Sequence, residues 1–241
     1  MDAYFLGHMQ KYRNNQSCLG SNTYAEQFYT WHLSAFNRDL GTIDVANLIK
    51  KEKEPQIVEC TECRKNHAEE SYELSIAPSV LVIHLKRSNF RLREVGQERV
   101  YGQCKGYRQV TYATLLTLRT ISEEVVQFDL VGVIFHLGTN YDCGHYVAIV
   151  RDRNGWIRCD DGDISPSCEE DALNSGSLEM SPCMLFVVSV ADHVAARVIS
   201  RERRGRIVSK FYIVESMPKF VSKSIDRIHL VHSLVLQLVY F

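Results

Sequence analysis

The sequence feature that most constrains the fold is a strong hairpin signal in the second half of the chain. Two short runs rich in β-branched and aromatic residues, Tyr146–Val150 and Trp156–Cys159, flank Asp152-Arg153-Asn154-Gly155. An Asn-Gly pair between such runs is typical of a tight turn between antiparallel strands. If residues 152–155 form the loop, Arg151 lies opposite Trp156, and the numbers of every opposed pair sum to 307.

Further strands are predicted on both sides of this hairpin. Each is a short run of apolar, β-branched or aromatic residues. The predicted strands are Ser71–Ile76, Val80–Leu85, Gln127–Leu137 and Met184–Val190. Val80-Leu81-Val82-Ile83 is apolar without interruption, which is typical of a strand buried on both faces. The polar, glycine-containing segment between 94 and 109 is predicted to be a loop.

The first part of the chain predicts helices. Apolar residues spaced three and four apart between Thr23 and Leu40 indicate an amphipathic helix that ends at Gly41. Ile43 to Lys53 is predicted to be a second short helix that ends before Pro55. Glu169–Leu173 suits a single helical turn, and residues 1–22 lack periodicity and are predicted to be irregular.

The end of the chain differs in character from the rest. Arg197–Arg227 carries nine Lys and Arg against three acids, a local net charge of +6, and Ile228–Phe241 is mostly apolar. We therefore divide the chain into an irregular N-terminus (1–22), one domain (23–190) and a C-terminal extension (191–241). A domain of this size can bury its own core, and the extension is predicted to be solvated.

Charge and cysteine content bound the class of protein. The formal net charge is −1 over 241 residues, so we expect no nucleic-acid partner. The start, Met1–Phe5, lacks the basic and apolar regions of a secretion signal. No apolar run reaches the length of a membrane span, so no membrane partner is expected. We expect the eight cysteines to be reduced thiols of a cytoplasmic or nuclear protein rather than a disulfide frame.

The predicted hairpin brings a histidine close to two carboxylates. With opposed residues summing to 307, His145 lies opposite Gly162, and Asp160 lies two residues away on the same face. Asp161 points to the other face, and a loop one residue longer would exchange the two aspartates. A carboxylate that accepts from one imidazole nitrogen leaves the other nitrogen facing a nucleophile. A structural histidine beside a plain acidic turn is the alternative interpretation.

The residues around this pair resemble the histidine-box half of the ubiquitin-specific proteases. The resemblance rests, in this order, on Phe128–Gly138, Gly144-His145-Tyr146, Trp156, Asp160-Asp161 and Pro182–Phe186. Upstream, Pro78–Arg87 is similar to the family's strand before its variable segment. Tyr24–Phe28 is similar to the family's helix rich in Gln, Asp, Glu and Phe.

This resemblance implies a fold, a substrate and roles for the site residues. The fold would be α+β and papain-like, in part: a palm with an antiparallel sheet, reduced fingers and an incomplete thumb. Its partners would be ubiquitin and ubiquitinated proteins, which the family cuts at the isopeptide bond after ubiquitin's C-terminal glycine. His145 would be the general base, Asp160 its orienting acid and Asp161 a neighbouring polar helper. The chemistry would require no cofactor.

The nucleophilic cysteine is the part of the family pattern that the chain does not present. In the family it lies in an asparagine-rich box at a helix N-terminus, where the helix dipole lowers the thiol pKa. Only about 22 residues precede the segment that resembles the family's next helix, too few for that box. Cys18 lies in this stretch beside several amides, but its spacing is wrong. We therefore keep an active cysteine-type deubiquitinase, a catalytically impaired ubiquitin-binding protein and a zinc-stabilised interaction domain as alternatives.

Cys60-Thr61-Glu62-Cys63 is the candidate metal-binding motif. The family's fingers often hold zinc with two such pairs, and a structural zinc site needs four ligands. His67 could supply a third ligand to Cys60 and Cys63, and Cys104 lies 41 residues further on. Of the two interpretations, we favour a reduced, metal-free pair over structural zinc.

Overall fold

Sixteen strands and three short helices form the part of the chain that the computed structural model describes, residues 2–15, 18, 20–37, 41–95, 98–139, 143–152, 154–174, 176 and 179–191. The helices are α1 (Asp2–Phe5), α2 (Val45–Lys53) and α3 (Glu169–Ala172). The strands are β1 (Gly7–Asn14), β2 (Ser21–Phe28), β3 (Thr30–Ser34), β4 (Thr42–Asp44), β5 (Gln56–Glu59), β6 (Asn66–Ile76), β7 (Val80–Lys86), β8 (Ser88–Val95), β9 (Glu98–Lys105), β10 (Gln109–Thr111), β11 (Leu115–Arg119), β12 (Val125–Leu137), β13 (His145–Asp152), β14 (Gly155–Asp160), β15 (Asp163–Ser167) and β16 (Met180–Ser189).

An eight-stranded sheet, called the large sheet below, carries the predicted hairpin. Its strands follow the order β15-β14-β13-β12-β16-β7-β3, and β11 also pairs with β12. Neighbouring strands are antiparallel except β3 and β7, which are parallel. β12 lies at the centre, with β16 along one edge and β13 and β11 one after the other along the opposite edge. All four predicted strands are confirmed: three lie within β6, β7 and β12, and Met184–Val190 matches β16 up to Ser189.

Apolar clusters cover both faces of the large sheet. Leu81 and Ile83 of β7 belong to a larger cluster that also includes buried residues of α2 and β6. Val80 and Val82 alternate with them and belong to a second cluster on the other face. β7 is therefore buried on both faces, as its uninterrupted apolar run predicted.

A four-stranded sheet, the small sheet, is built in the order β2-β1-β6-β5. Its strands are held by charge pairs as well as by backbone bonds: Arg13 on β1 pairs with Glu70 on β6, and Lys11 on β1 pairs with Glu26 on β2. The prediction that residues 1–22 are irregular is therefore wrong, because they contain α1, β1 and the start of β2. The sequence of β1 lacks the apolar alternation of a typical strand, because its polar side chains contact charged partners rather than an apolar core.

The helix predicted from Thr23 to Leu40 is also wrong. The described part of this range forms β2 and β3 instead. Trp31, Leu33 and Ala35 are all buried, and this spacing of two is the period of a strand. β3 completes the edge of the large sheet beside β7, a long-range pairing that local spacing does not reveal. The resemblance of Tyr24–Phe28 to a helix fails with it, since these residues lie in β2.

The predicted loop between 94 and 109 is a third correction. β9 occupies half of it and pairs with β8 over eight residues. The predictions of a helix over Ile43–Lys53 and of a helical turn at Glu169–Leu173 are confirmed as α2 and α3. The side chain of Asp44 caps α2 by accepting from the backbone N–H of Ala46 at 2.8 Å.

Residues 192–241, most of the predicted extension, lie outside the described residues. The division of the chain at residues 23 and 190 stays a prediction. None of the helices in the described ranges is long and apolar enough to cross a membrane.

Candidate active site

The hairpin of β13 and β14 brings His145 and Asp160 together. Arg151 lies opposite Trp156, so the register predicted from the Asn-Gly turn is confirmed. His145 is the first residue of β13 and Asp160 the last of β14. The distance from His145 Nε2 to Asp160 Oδ1 is 2.5 Å, and each side chain is 34% exposed. The site is thus a half-open pair at the end of the large sheet.

Hydrogen bonds keep Asp160 ionised. The bond to His145, and then the bond from Arg158, lower the pKa of the Asp160 carboxyl below its ordinary value. Arg158 Nη2 donates to Asp160 Oδ2 at 3.0 Å. Arg158 is not among the site residues predicted from the sequence, although it lies two residues before Asp160 on the same strand and therefore on the same face. The carboxylate is held from both sides and can orient the imidazole.

Asp161 lies closer to this pair than strand alternation predicted. It follows the end of β14 and adopts a φ of +54°, so its side chain does not continue the alternation of the strand. Its carboxylate lies within 4.8 Å of the ligand atoms of His145 and Asp160. The prediction that Asp161 points away is therefore wrong, and the structure brings all three predicted residues together.

Among the described residues, the side chain of His145 has a carboxylate partner but no thiol partner. Since Nε2 faces the carboxylate, Nδ1 is the nitrogen that would meet a nucleophile. Cys18, the candidate considered from the sequence, lies between β1 and β2 of the small sheet instead.

Cys18 joins the CxxC pair in a cluster of three thiols. Its Sγ lies 3.6 Å from that of Cys60, and the three Sγ atoms of Cys18, Cys60 and Cys63 lie within 4.8 Å of one another. His67 Nε2 lies 3.5 Å from Cys63 Sγ, and Asn15 Nδ2 donates to the same sulfur at 3.5 Å. The sequence missed Cys18 as a member of this cluster because it is 42 residues from Cys60.

The thiol cluster fits a zinc ion. Zinc–sulfur bonds of about 2.3 Å in a tetrahedron place sulfur atoms about 3.8 Å apart, close to the 3.6 Å observed between Cys18 and Cys60. Hydrogen bonds from the backbone of Cys63 and from the side chain of Asn15 lower the pKa of Cys60 to about 6. Cys60 is therefore close to the thiolate form that a metal needs. The cluster does not include Cys104, which lies opposite Asn89 in the β8–β9 pair.

Comparison with known proteins identifies the fold and the family. The family model described as ubiquitin carboxyl-terminal hydrolase matches residues 7–186. Among solved structures, one of the SAGA Ubp8/Sgf11/Sus1/Sgf73 DUB module bound to ubiquitin aldehyde has a TM-score of 0.60 at 19% identity, over 78% of this chain and 42% of that one. Another, of the yeast SAGA DUBm with an Sgf73 mutant, has a TM-score of 0.61 at 19% identity, over 78% and 41%.

The class defined by this fold is the papain-like ubiquitin-specific protease domain, present in part. The chain belongs to the ubiquitin carboxyl-terminal hydrolase family. Among its relatives are ubiquitin carboxyl-terminal hydrolase 4 of Arabidopsis thaliana, 30% identical over 114 residues, and ubiquitin carboxyl-terminal hydrolase 12 of Salmo salar, 30% identical over 119 residues. Each match covers 47% of this chain and 30% of the relative, so the chain matches under a third of their length.

Proposed function

We propose that this chain carries the base and orienting acid of a cysteine-type deubiquitinase, which hydrolyses bonds at the C-terminal glycine of ubiquitin. The observation that carries the proposal is the 2.5 Å contact between His145 Nε2 and Asp160 Oδ1. Membership of the ubiquitin carboxyl-terminal hydrolase family supports a ubiquitin substrate. Ubiquitin and ubiquitinated proteins are the partners in this proposal, and the cytoplasm or nucleus its location.

Each residue has a distinct task in this chemistry. His145 Nδ1 takes the proton of a thiol, whose sulfur attacks the carbonyl carbon of ubiquitin's last glycine. The resulting imidazolium is stabilised by the Asp160 carboxylate and gives the proton to the departing amine. A water molecule then releases ubiquitin from the thioester, with His145 again as base. Asp161 is the neighbouring polar helper, within reach of both residues.

A ubiquitin probe with a C-terminal electrophile tests this proposal. If the full chain reacts, His145→Ala is expected to slow labelling by roughly a hundredfold or more, because a general base contributes that much. His32→Ala, an exposed histidine on β3 at the far edge of the large sheet, is the matched control and should label normally. Unchanged labelling of His145→Ala would refute the base assignment.

A catalytically impaired ubiquitin-binding protein is the second candidate. It is favoured by the pairing of His145 with Asp160 and with no described thiol. Calorimetric titration with ubiquitin separates the two candidates. Binding without labelling supports the second, and labelling supports the first.

We also propose that the thiol cluster holds a structural zinc ion, rather than the metal-free pair favoured from the sequence, because Cys18 adds a third thiol to Cys60 and Cys63. Cys18, Cys60 and Cys63 supply three ligands, and His67 is the fourth ligand available beside Cys63. The zinc would tie the turn after β1 to the turn after β5, at one end of the small sheet. It takes no part in the proposed hydrolysis.

A further inference from the structure

A buried lysine and a buried histidine face each other behind the candidate active site. Lys105, the last residue of β9, and His136, near the end of β12, are each only 6% exposed. Lys105 Nζ lies 3.1 Å from His136 Nδ1 and also donates to the carbonyl oxygen of Gly138. The described ion pairs give Lys105 no carboxylate partner, so this buried cation is satisfied by neutral acceptors.

The contact fixes the tautomer of His136. An ammonium group only donates, so Nδ1 of the ring accepts and Nε2 carries the proton. Burial and the charge of Lys105 lower the pKa of His136 to about 4, which keeps the ring neutral. The other ring nitrogen, Nε2, lies against the residue before β13, since a Cβ placed on Gly144 would come within 2.4 Å of it.

The bond from Lys105 to Gly138 and the packing of His136 against Gly144 hold the two sides of the connection between β12 and β13. Gly138 directly follows β12, and Cys143 lies two residues before His145. A Cβ placed on Gly138 would lie 3.0 Å from the carbonyl oxygen of Cys143, which shows how closely the two sides approach. Tyr146 covers the ring of His136, with ring centroids 4.9 Å apart.

We propose that Lys105 and His136 form a positioning pair that fixes the start of β13 and so places His145 against Asp160. His145 and Asp160 meet through one hydrogen bond and are partly exposed, so their alignment depends on the backbone that carries His145. The pair supplies that support from β9, which pairs with β8 and lies outside the catalytic hairpin. The inference rests on the proposed function only for the role of His145 as base.

The wild-type chain tests the first step without any substitution. Long-range ¹H–¹⁵N spectra of the imidazole rings are expected to show His136 only as the Nε2–H tautomer. The Nδ1–H tautomer, or an equal mixture of the two, would overturn the proposal.

Substitutions test the second step. Lys105→Met removes the donor while keeping a long side chain, and His136→Leu removes both polar nitrogens of the ring. In each, solvent exchange of the His145 Nε2–H proton that bonds to Asp160 is expected to quicken roughly tenfold, as expected for losing a buried hydrogen-bond partner. His136→Gln, whose amide both accepts and donates, should restore slow exchange, which a purely steric role would not predict. Lys65→Met, an exposed lysine at the small sheet, is the control.

The outcomes separate this proposal from the proposed function. A folded Lys105→Met protein whose His145 proton exchanges at the wild-type rate overturns the positioning pair, whatever ubiquitin does. If exchange quickens as expected but the wild-type chain neither binds ubiquitin nor reacts with its probe, the positioning pair stands and the proposed function fails.

Discussion

At the scale of single residues, Asp160 is the most directly testable member of the candidate site. It is partly exposed, and pairs of this kind contribute less than about 1 kcal/mol to stability. Its folded pKa lies below the value of about 3.9 for an unfolded chain. The carboxylate therefore stabilises the fold above that value, and the contribution is lost as the pH falls through the folded pKa.

We accordingly expect Asp160→Asn to lower the free energy of unfolding slightly at pH 7, by up to about 1 kcal/mol. The difference from wild type should shrink to zero once both wild-type states are protonated. Urea unfolding at a series of pH values measures both effects. Asp163→Asn, an exposed carboxylate opposite Asp160 in β15, is the control for the loss of one charge. If the difference in free energy of unfolding between wild type and Asp160→Asn grew as the pH fell, Asp160 would not be the stabilising carboxylate described here.

At the scale of elements, the connection between β12 and β13 depends on Gly144. This residue has a φ of +148°, and a Cβ there would lie 2.2 Å from the carbonyl oxygen of Leu137 and 2.4 Å from His136 Nε2. Gly155, in the turn between β13 and β14, has a similar φ of +136° but no neighbour within 4 Å of such a Cβ. Gly144→Ala therefore adds a clash to the backbone strain that both substitutions share.

We expect Gly155→Ala to lower the free energy of unfolding by about 1 kcal/mol, and Gly144→Ala to lower it by at least about 2 kcal/mol. Chemical denaturation of the two variants beside wild type measures the difference. Equal losses in the free energy of unfolding would mean that the backbone at the start of β13 can shift to accommodate the added Cβ. The close packing around His136 argues against such a shift.

The elements also show where sequence reasoning succeeds and fails. The register of β13 and β14 is set by the local chemistry of the Asn154-Gly155 turn, so the approach of His145 to Asp160 follows from the sequence alone. The apolar spacing around β3 fits the period of a helix as well as that of a strand. The residues form a strand because they pair with β7. That pairing is long-range, and no local pattern contains it.

At the scale of the whole molecule, the two sheets depend on different sources of stability. The large sheet has apolar clusters on both faces, whereas the small sheet relies partly on charge pairs and on the proposed zinc. The sequence could not show the thiol cluster, because Cys18 meets Cys60 only through the pairing of β1 with β6 and of β6 with β5. The sequence does not indicate the positioning pair either, because Lys105 and His136 lie on different strands, β9 and β12, and meet only in the folded chain.

Removal of the zinc should therefore loosen the small sheet and leave the large sheet intact. The purified chain is expected to contain about one equivalent of zinc, and Cys60→Ser to lose it, whereas Cys168→Ser, an exposed cysteine outside the cluster, should retain it. After chelation, amide hydrogen exchange should quicken in β1, β2, β5 and β6 but not in β12 and β13, because opening free energies differ between such units. Less than about half an equivalent of zinc would argue against the site. Exchange that quickened equally in both sheets would show instead that the two sheets unfold as one unit.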